Sequence, residues 1–202
     1  MNEIMNVNGI NVIIARGDIA TFKANAYVVP QYRDHCSFTS VAARLICSEY
    51  YQAVEAYDIG AKYINYPFGY AVSFETNSQE VERLIHVAVL DLPEDNAFNL
   101  TQLATYSVLI EAEKRGIRNL AIPALATGKD APLKFSASAA AMISALALLP
   151  TDGTLQNITI PIWKSEAAYR HFCDGAKKYL PHLRFGLYKD YDVMQQKVMS
   201  RR

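Results

Sequence analysis

The chain has 202 residues, 20 Lys plus Arg against 20 Asp plus Glu, a formal net charge of +0, and 51% hydrophobic residues. This is the balance of one folded domain rather than a disordered chain, and a chain of this length buries a core without needing a disulfide or a metal. The lack of a basic excess argues against nucleic acid as the main partner, because such a surface must neutralise phosphates.

The 3 Cys (Cys36, Cys47 and Cys173) form the odd, sparse set of free thiols in a reducing compartment. The start, Met1-Asn2-Glu3-Ile4, has no basic region followed by an apolar core, so no signal peptide is expected. The longest apolar run, from Phe135 to Leu149, is interrupted by serines and falls short of the roughly 20 residues that span a bilayer. A cytoplasmic protein with no membrane contact is the expectation.

Short β-rich runs alternate with helical patterns along the chain. Ile10 to Ala15 is apolar and β-branched and ends at Gly17-Asp18. Ala26 to Val29 reads as a second buried strand closed by Pro30. Phe38 to about Tyr57 reads as a helix, with Val41, Ala42, Leu45, Ile46 and Ala53 at helical spacing. Tyr63 to Phe74 is aromatic and partly alternating, which predicts a strand bent at Pro67 or Gly69; Leu84 to Leu90 is another buried strand.

The plainest helical pattern follows. Asn99 and Gln102 resemble a capping box, Leu100, Leu103, Ala104 and Val108 form the stripe, and Lys114-Arg115-Gly116 supplies a basic last turn and a left-handed cap. Asn119 to Leu125 predicts a strand. Phe135 to Leu149 predicts a helix apolar almost all round, hence buried on several sides. Ile158 to Trp163 is a strand, and Ser165 caps a helix striped by Tyr169, Phe172, Cys173, Ala176 and Leu180 and stopped by Pro181. Arg184 to Tyr188 reads as one more strand, followed by a polar helix or tail over 189–202. The pattern predicts one α/β domain: a mixed, mostly parallel sheet between helical layers, with its core in 1–188.

In such sheets ligands bind beyond the carboxyl ends of the strands. Three segments fall there: Ala15 to Ile19, Pro30 to Val41, and Ala124 to Pro132. Asp18 has two readings: its carboxylate accepts the amino proton of adenine, or it caps a short helix through Ala20 or Thr21. The small-residue stretch Ala126-Thr127-Gly128-Lys129-Asp130-Ala131-Pro132 can turn backbone N–H groups to a diphosphate, or is an ordinary strand-to-helix turn. His86 sits within an apolar strand as a core histidine. His35 and Cys36 are sequence neighbours, which disfavours a nucleophile–base geometry. His171 and Cys173 fall on different helix faces, so no zinc site is expected. The 13 Tyr serve packing, with a pocket wall or a subunit contact as alternatives.

Three stretches in order, INVIIARGDIATFKANAYVVPQ, LIHVAVLD and LATYSVLIEAEKRGIRNLAIPALATGKDAP, resemble the macrodomain family. The resemblance spans roughly Ile10 to Trp163. It implies a three-layer α/β/α sandwich that binds ADP-ribose or a related adenine nucleotide, with no cofactor of its own. It places Asp18 and Ile19 against adenine and Ala126, Thr127, Gly128, Lys129 and Asp130 at the diphosphate and distal ribose. Ser40 and Val41 correspond to the family's first phosphate loop, but Ser37-Phe38-Thr39-Ser40-Val41 lacks its glycines. Val29-Pro30-Gln31-Tyr32 lacks the asparagine of hydrolytic members, and Ala131 stands where the family often has glycine. Two alternatives follow: an ADP-ribosyl hydrolase that uses Gln31, Tyr32 or Asp34 instead, or a degenerate fold that serves as an interaction or homo-oligomerisation module.

Overall fold

The computed structural model describes residues 2–37, 50–79, 81–128, 131–163 and 165–179. The predicted strand at 184–188 and tail at 189–202, like Ser40, Val41, Lys129 and Asp130, lie outside the described residues. Seven strands form one sheet: β1 (Asn2–Val7), β2 (Ile10–Arg16), β3 (Ala26–Gln31), β4 (Ala71–Glu75), β5 (Arg83–Ala88), β6 (Asn119–Ala121) and β7 (Asn157–Ile162). Their order is β1-β2-β7-β6-β3-β5-β4. The outer pairs β1–β2 and β4–β5 are antiparallel, and the pairs among β2, β7, β6, β3 and β5 are parallel. Four α-helices are described: α1 (Tyr50–Ile64), α2 (Ala97–Lys114), α3 (Phe135–Leu146) and α4 (Glu166–Tyr179).

Period-2 alternation assigns the faces. On β3 and β5, Ala26, Val28, Ile85 and Val87 join the large core with α2, α3 and α4. The intervening Tyr27, Val29 and Leu84 pack with Tyr50 and Ala53 of α1. Each central strand is therefore covered on both faces, which gives the expected α/β/α sandwich. No helix among the described residues is long and apolar enough to cross a membrane.

Strand β1 is an addition to the sequence reading. Asn8 and Gly9 take φ of 51° and 85°, the left-handed pair that a two-residue hairpin turn demands. The Asn8 amide donates to the carbonyls of Ala147 (2.8 Å) and Leu149 (2.9 Å), which fastens the turn to the end of α3. Pro30 does not close β3, which continues through Gln31. The Gln31 carbonyl accepts from the Val89 and Leu90 N–H groups of the β5 side. Residue 30 therefore faces β6, whose ladder with β3 stops at Tyr27, so the missing proline N–H costs no ladder bond.

The strand expected over Tyr63 to Phe74 is instead the end of α1, a turn and β4. Asn65 ends the helix at φ 48° and donates its N–H to Ala61 O at 2.8 Å, a left-handed cap. Helix α2 starts two residues before Asn99, at Ala97, with Asn96 as its N-cap residue. Gln102 is buried and donates Nε2 to Ser144 Oγ of α3 at 3.0 Å instead of completing a capping box. At the other end Gly116 takes φ 68° as expected. Strand β6 stops at Ala121, short of Leu125, and α3 stops at Leu146, short of Leu149. Ser165 Oγ accepts the Ala168 N–H at 3.2 Å as the predicted cap, and Tyr169, Phe172, Cys173 and Ala176 are buried.

A chain of side-chain amides crosses the amino ends of the parallel strands. Asn11 donates to Asn157 (3.1 Å), Asn157 to Asn119 (2.8 Å), Asn119 to Asn25 (2.8 Å) and Asn25 to the Glu82 carboxylate (2.6 Å). Each amide gives a proton to one neighbour and accepts from the other, so the row is tied from β2 to the start of β5.

Candidate functional site

The opposite edge of the sheet, where the parallel strands end, gathers the segments singled out in the sequence. Leaving β2, Gly17 donates its N–H to Ile162 O of β7 at 3.2 Å. A Cβ at Gly17 would stand 3.1 Å from the Phe22 ring, so the close turn favours glycine. Asp18 is the N-cap of a short 3-10 turn over Ile19–Thr21, with Oδ1 accepting the Ala20 N–H at 3.1 Å. The capping reading of Asp18 holds. It does not displace the other reading, since a carboxylate offers about four acceptor positions. Ile19 is buried behind the turn.

Trp163 directly follows β7 and is 55% exposed. The β2–β7 ladder pairs Arg16 with Ile162, so the backbone at Trp163 leaves the sheet level with Gly17. The sequence reading did not include Trp163 in the site. Its signal was the placement of the chain's single Trp at the last position of an apolar strand.

The next strand end, that of β6, leads into the second predicted loop. Ala126 holds φ 54°, a left-handed conformation costly for a residue with a Cβ. The turn is fixed around it: Thr127 Oγ1 donates to Ala124 O (2.8 Å), Leu133 N–H to Ala126 O (3.2 Å) and Ser138 Oγ of α3 to Leu125 O (2.6 Å). Thr127 is buried and Gly128 exposed, so the loop presents backbone at its tip. Helix α3 begins shortly after, and its amino end favours negative charge nearby.

At the end of β3, Gln31 is fully buried and its Oε1 accepts the Ser37 N–H at 2.6 Å. Among the described residues its Nε2 has no hydrogen-bond partner. Tyr32 stacks on His35, centroids 4.6 Å apart and planes 12° apart. Asp34 is exposed and paired with His35 Nδ1 at 2.6 Å; that hydrogen bond holds its carboxyl below the usual range. Of the three hydrolytic candidates, Tyr32 and Asp34 reach solvent and Gln31 does not.

Cys36 meets not its neighbour His35 but His86 of β5, with Sγ 3.7 Å from Nδ1. Burial, with the Asp58 carboxylate nearby, pushes the thiol up, and burial pushes His86 down to about 3. The pair is thus a neutral thiol against a neutral imidazole, packed among Tyr57, Phe74 and Tyr50, and not a thiolate nucleophile. Among the described residues no group of three or more His, Cys, Asp or Glu could hold a metal.

No family model matches the sequence, and no curated protein does. Solved structures do match. The Oceanobacillus iheyensis macrodomain with ADP superposes at a TM-score of 0.75 with 16% identity, over 90% of this chain and 97% of that one. A variant of the same macrodomain with ADPR gives 0.74 and 16%, over 90% and 100%. The Trypanosoma brucei macrodomain in complex with ADP gives 0.62 and 14%, over 81% and 68%. At these identities the likeness establishes the fold: this chain has the macrodomain fold.

Proposed function

We propose that the groove along the strand ends of β2, β7, β6 and β3 binds ADP-ribose or a related adenine nucleotide derivative. The supporting observation is the order of its parts: Asp18 follows β2, the exposed Trp163 follows the neighbouring β7, and the Thr127-Gly128 loop follows β6, the next strand. A base with an exocyclic amino group donates to Asp18 and lies on the indole, while the diphosphate takes the backbone of the β6 loop and the amino end of α3. Ile19 backs the base. The family resemblance adds Ser40, Val41, Lys129 and Asp130 as further ligand contacts in this reading. Bound ADP and ADPR in solved macrodomains of the same fold support this choice of ligand.

Three variants test the site by calorimetry. Asp18→Ala removes a charge-assisted hydrogen bond of about 1.5–3 kcal/mol, and ADP-ribose affinity should fall about tenfold or more. Asp18→Asn retains the helix-capping acceptor, so it should keep the melting temperature while still weakening the ligand. Trp163→Ala removes a stacking contact worth about 1–3 kcal/mol. Unchanged affinity in Asp18→Ala and Trp163→Ala together would remove adenine from this end of the groove.

A further inference from the structure

The groove runs along strand ends in the order β2, β7, β6, β3, and one more parallel strand, β5, lies beyond. Where β3 and β5 end, a cleft of about 420 Å³ opens. Its walls come from the segments after both strands and after α1: Tyr32, Arg33 and Asp34, then Asn65 and Phe68, then Asp91. In the strand order the cleft comes next after the proposed groove, on the β3 side away from Asp18.

The lining has a definite chemistry. Arg33 is tied down, with Nε donating to Tyr66 O at 2.9 Å and its guanidinium 4.7 Å from the Phe68 ring centroid. The cleft already stacks one planar cation on an aromatic face. Tyr32 offers a second ring, held in one orientation by its stack on His35. Two carboxylates border the same space beside the tethered guanidinium: Asp91, and Asp34 with one oxygen held by His35 Nδ1. Asp91 is exposed and sits at φ 60°, and Asn65 at φ 48° contributes an amide. Aromatic faces with flanking carboxylates are the recognition chemistry of planar cations.

We propose that this cleft binds a planar cationic group attached to the distal ribose: the pyridinium ring of an oxidised nicotinamide dinucleotide, or the guanidinium of an ADP-ribosylated arginine. The proposal rests on the nucleotide reading above, because the ribose must lie at the end of β3.

Calorimetric titrations of the whole protein separate the cases. ADP-ribose is the reference, and NAD+, NADH and ADP-ribosyl-arginine are the probes. At least one cationic ligand should bind about tenfold tighter than ADP-ribose, from a cation–π contact together with the exposed carboxylates. A gain by NAD+ alone or by ADP-ribosyl-arginine alone identifies the source of the cation. NADH, with a neutral ring of the same size, should show no gain. Asp91→Asn should reduce the gain severalfold and leave ADP-ribose affinity unchanged. If ADP-ribose binds but neither cation gains, or if NADH gains equally, the cleft assignment is overturned and the nucleotide reading stands. If ADP-ribose itself does not bind, both are overturned.

Discussion

A buried imidazole makes stability depend on pH, and His86 is such a group. It lies in the middle of β5, fully buried, with no hydrogen-bond partner for Nε2 among the described residues and burial pushing its pKa down to about 3. The unfolded chain binds this proton at a pKa near 6.5, so below that value the unfolded state gains protons that the folded state refuses. The contribution is thus fully present above pH 6.5 and is lost as pH falls from about 6.5 towards 3. In this window wild type should lose about 1 kcal/mol per pH unit more than His86→Leu, read from paired denaturation curves at pH 7, 6 and 5. Parallel pH slopes would show that His86 is not held neutral. The sequence placed His86 in the core from its apolar neighbours alone. That Cys36 is its partner was not legible, because the contact depends on where the chain after β3 returns over β5. Asp18 was legible as a cap or an adenine acceptor; the structure supplies the capping bond and puts the strand that ends before Trp163 next to the one that ends before Asp18.

At the scale of elements, α3 and α4 pack backbone against backbone at Gly175. A Cβ on Gly175 would stand 2.4 Å from Ser136 O and 2.6 Å from its Cα. Backbone cannot yield as a flexible side chain would, so Gly175→Ala must push α4 away from α3. The expected cost is about 1–3 kcal/mol of stability, with a melting temperature several degrees lower. An unchanged melting temperature would mean that the helices do not approach this closely. Elements with strong periodicity and caps were legible: α4 from Ser165 and its stripe, and the end of α2 from Gly116. The segment 63–74 misled because Tyr66 and Tyr70 alternate like strand residues but stack on each other in a turn, with centroids 4.7 Å apart. Gln102 misled as a capping residue because its amide is spent on Ser144 of another helix. Strand β1 was missed although Asn8-Gly9 carried its turn signal.

Across the whole molecule, the alternation of strands and helices, and the order of three family-like stretches, were enough to indicate the α/β/α sandwich. The sheet order was not, and the site depends on it. The segments that begin at Gly17 and Trp163 are neighbours only because β7 pairs with β2, and the cleft at Arg33 and Asp91 exists only because β5 lies beside β3. The amide chain from Asn11 to Glu82 fixes the far ends of these same strands, so the register that builds the groove is tied at its base. Exposed Tyr51, Ile59 and Tyr63 on α1 keep an interaction surface as the rival use of the fold.

The central claim is that the strand-end groove is a working nucleotide site, and titration of ADP-ribose into the wild-type protein, with ADP and AMP as comparisons, tests it most directly. A working groove gives micromolar binding of ADP-ribose that weakens when the distal ribose is absent. No heat at millimolar ADP-ribose would contradict it and leave a macrodomain fold whose groove binds no nucleotide.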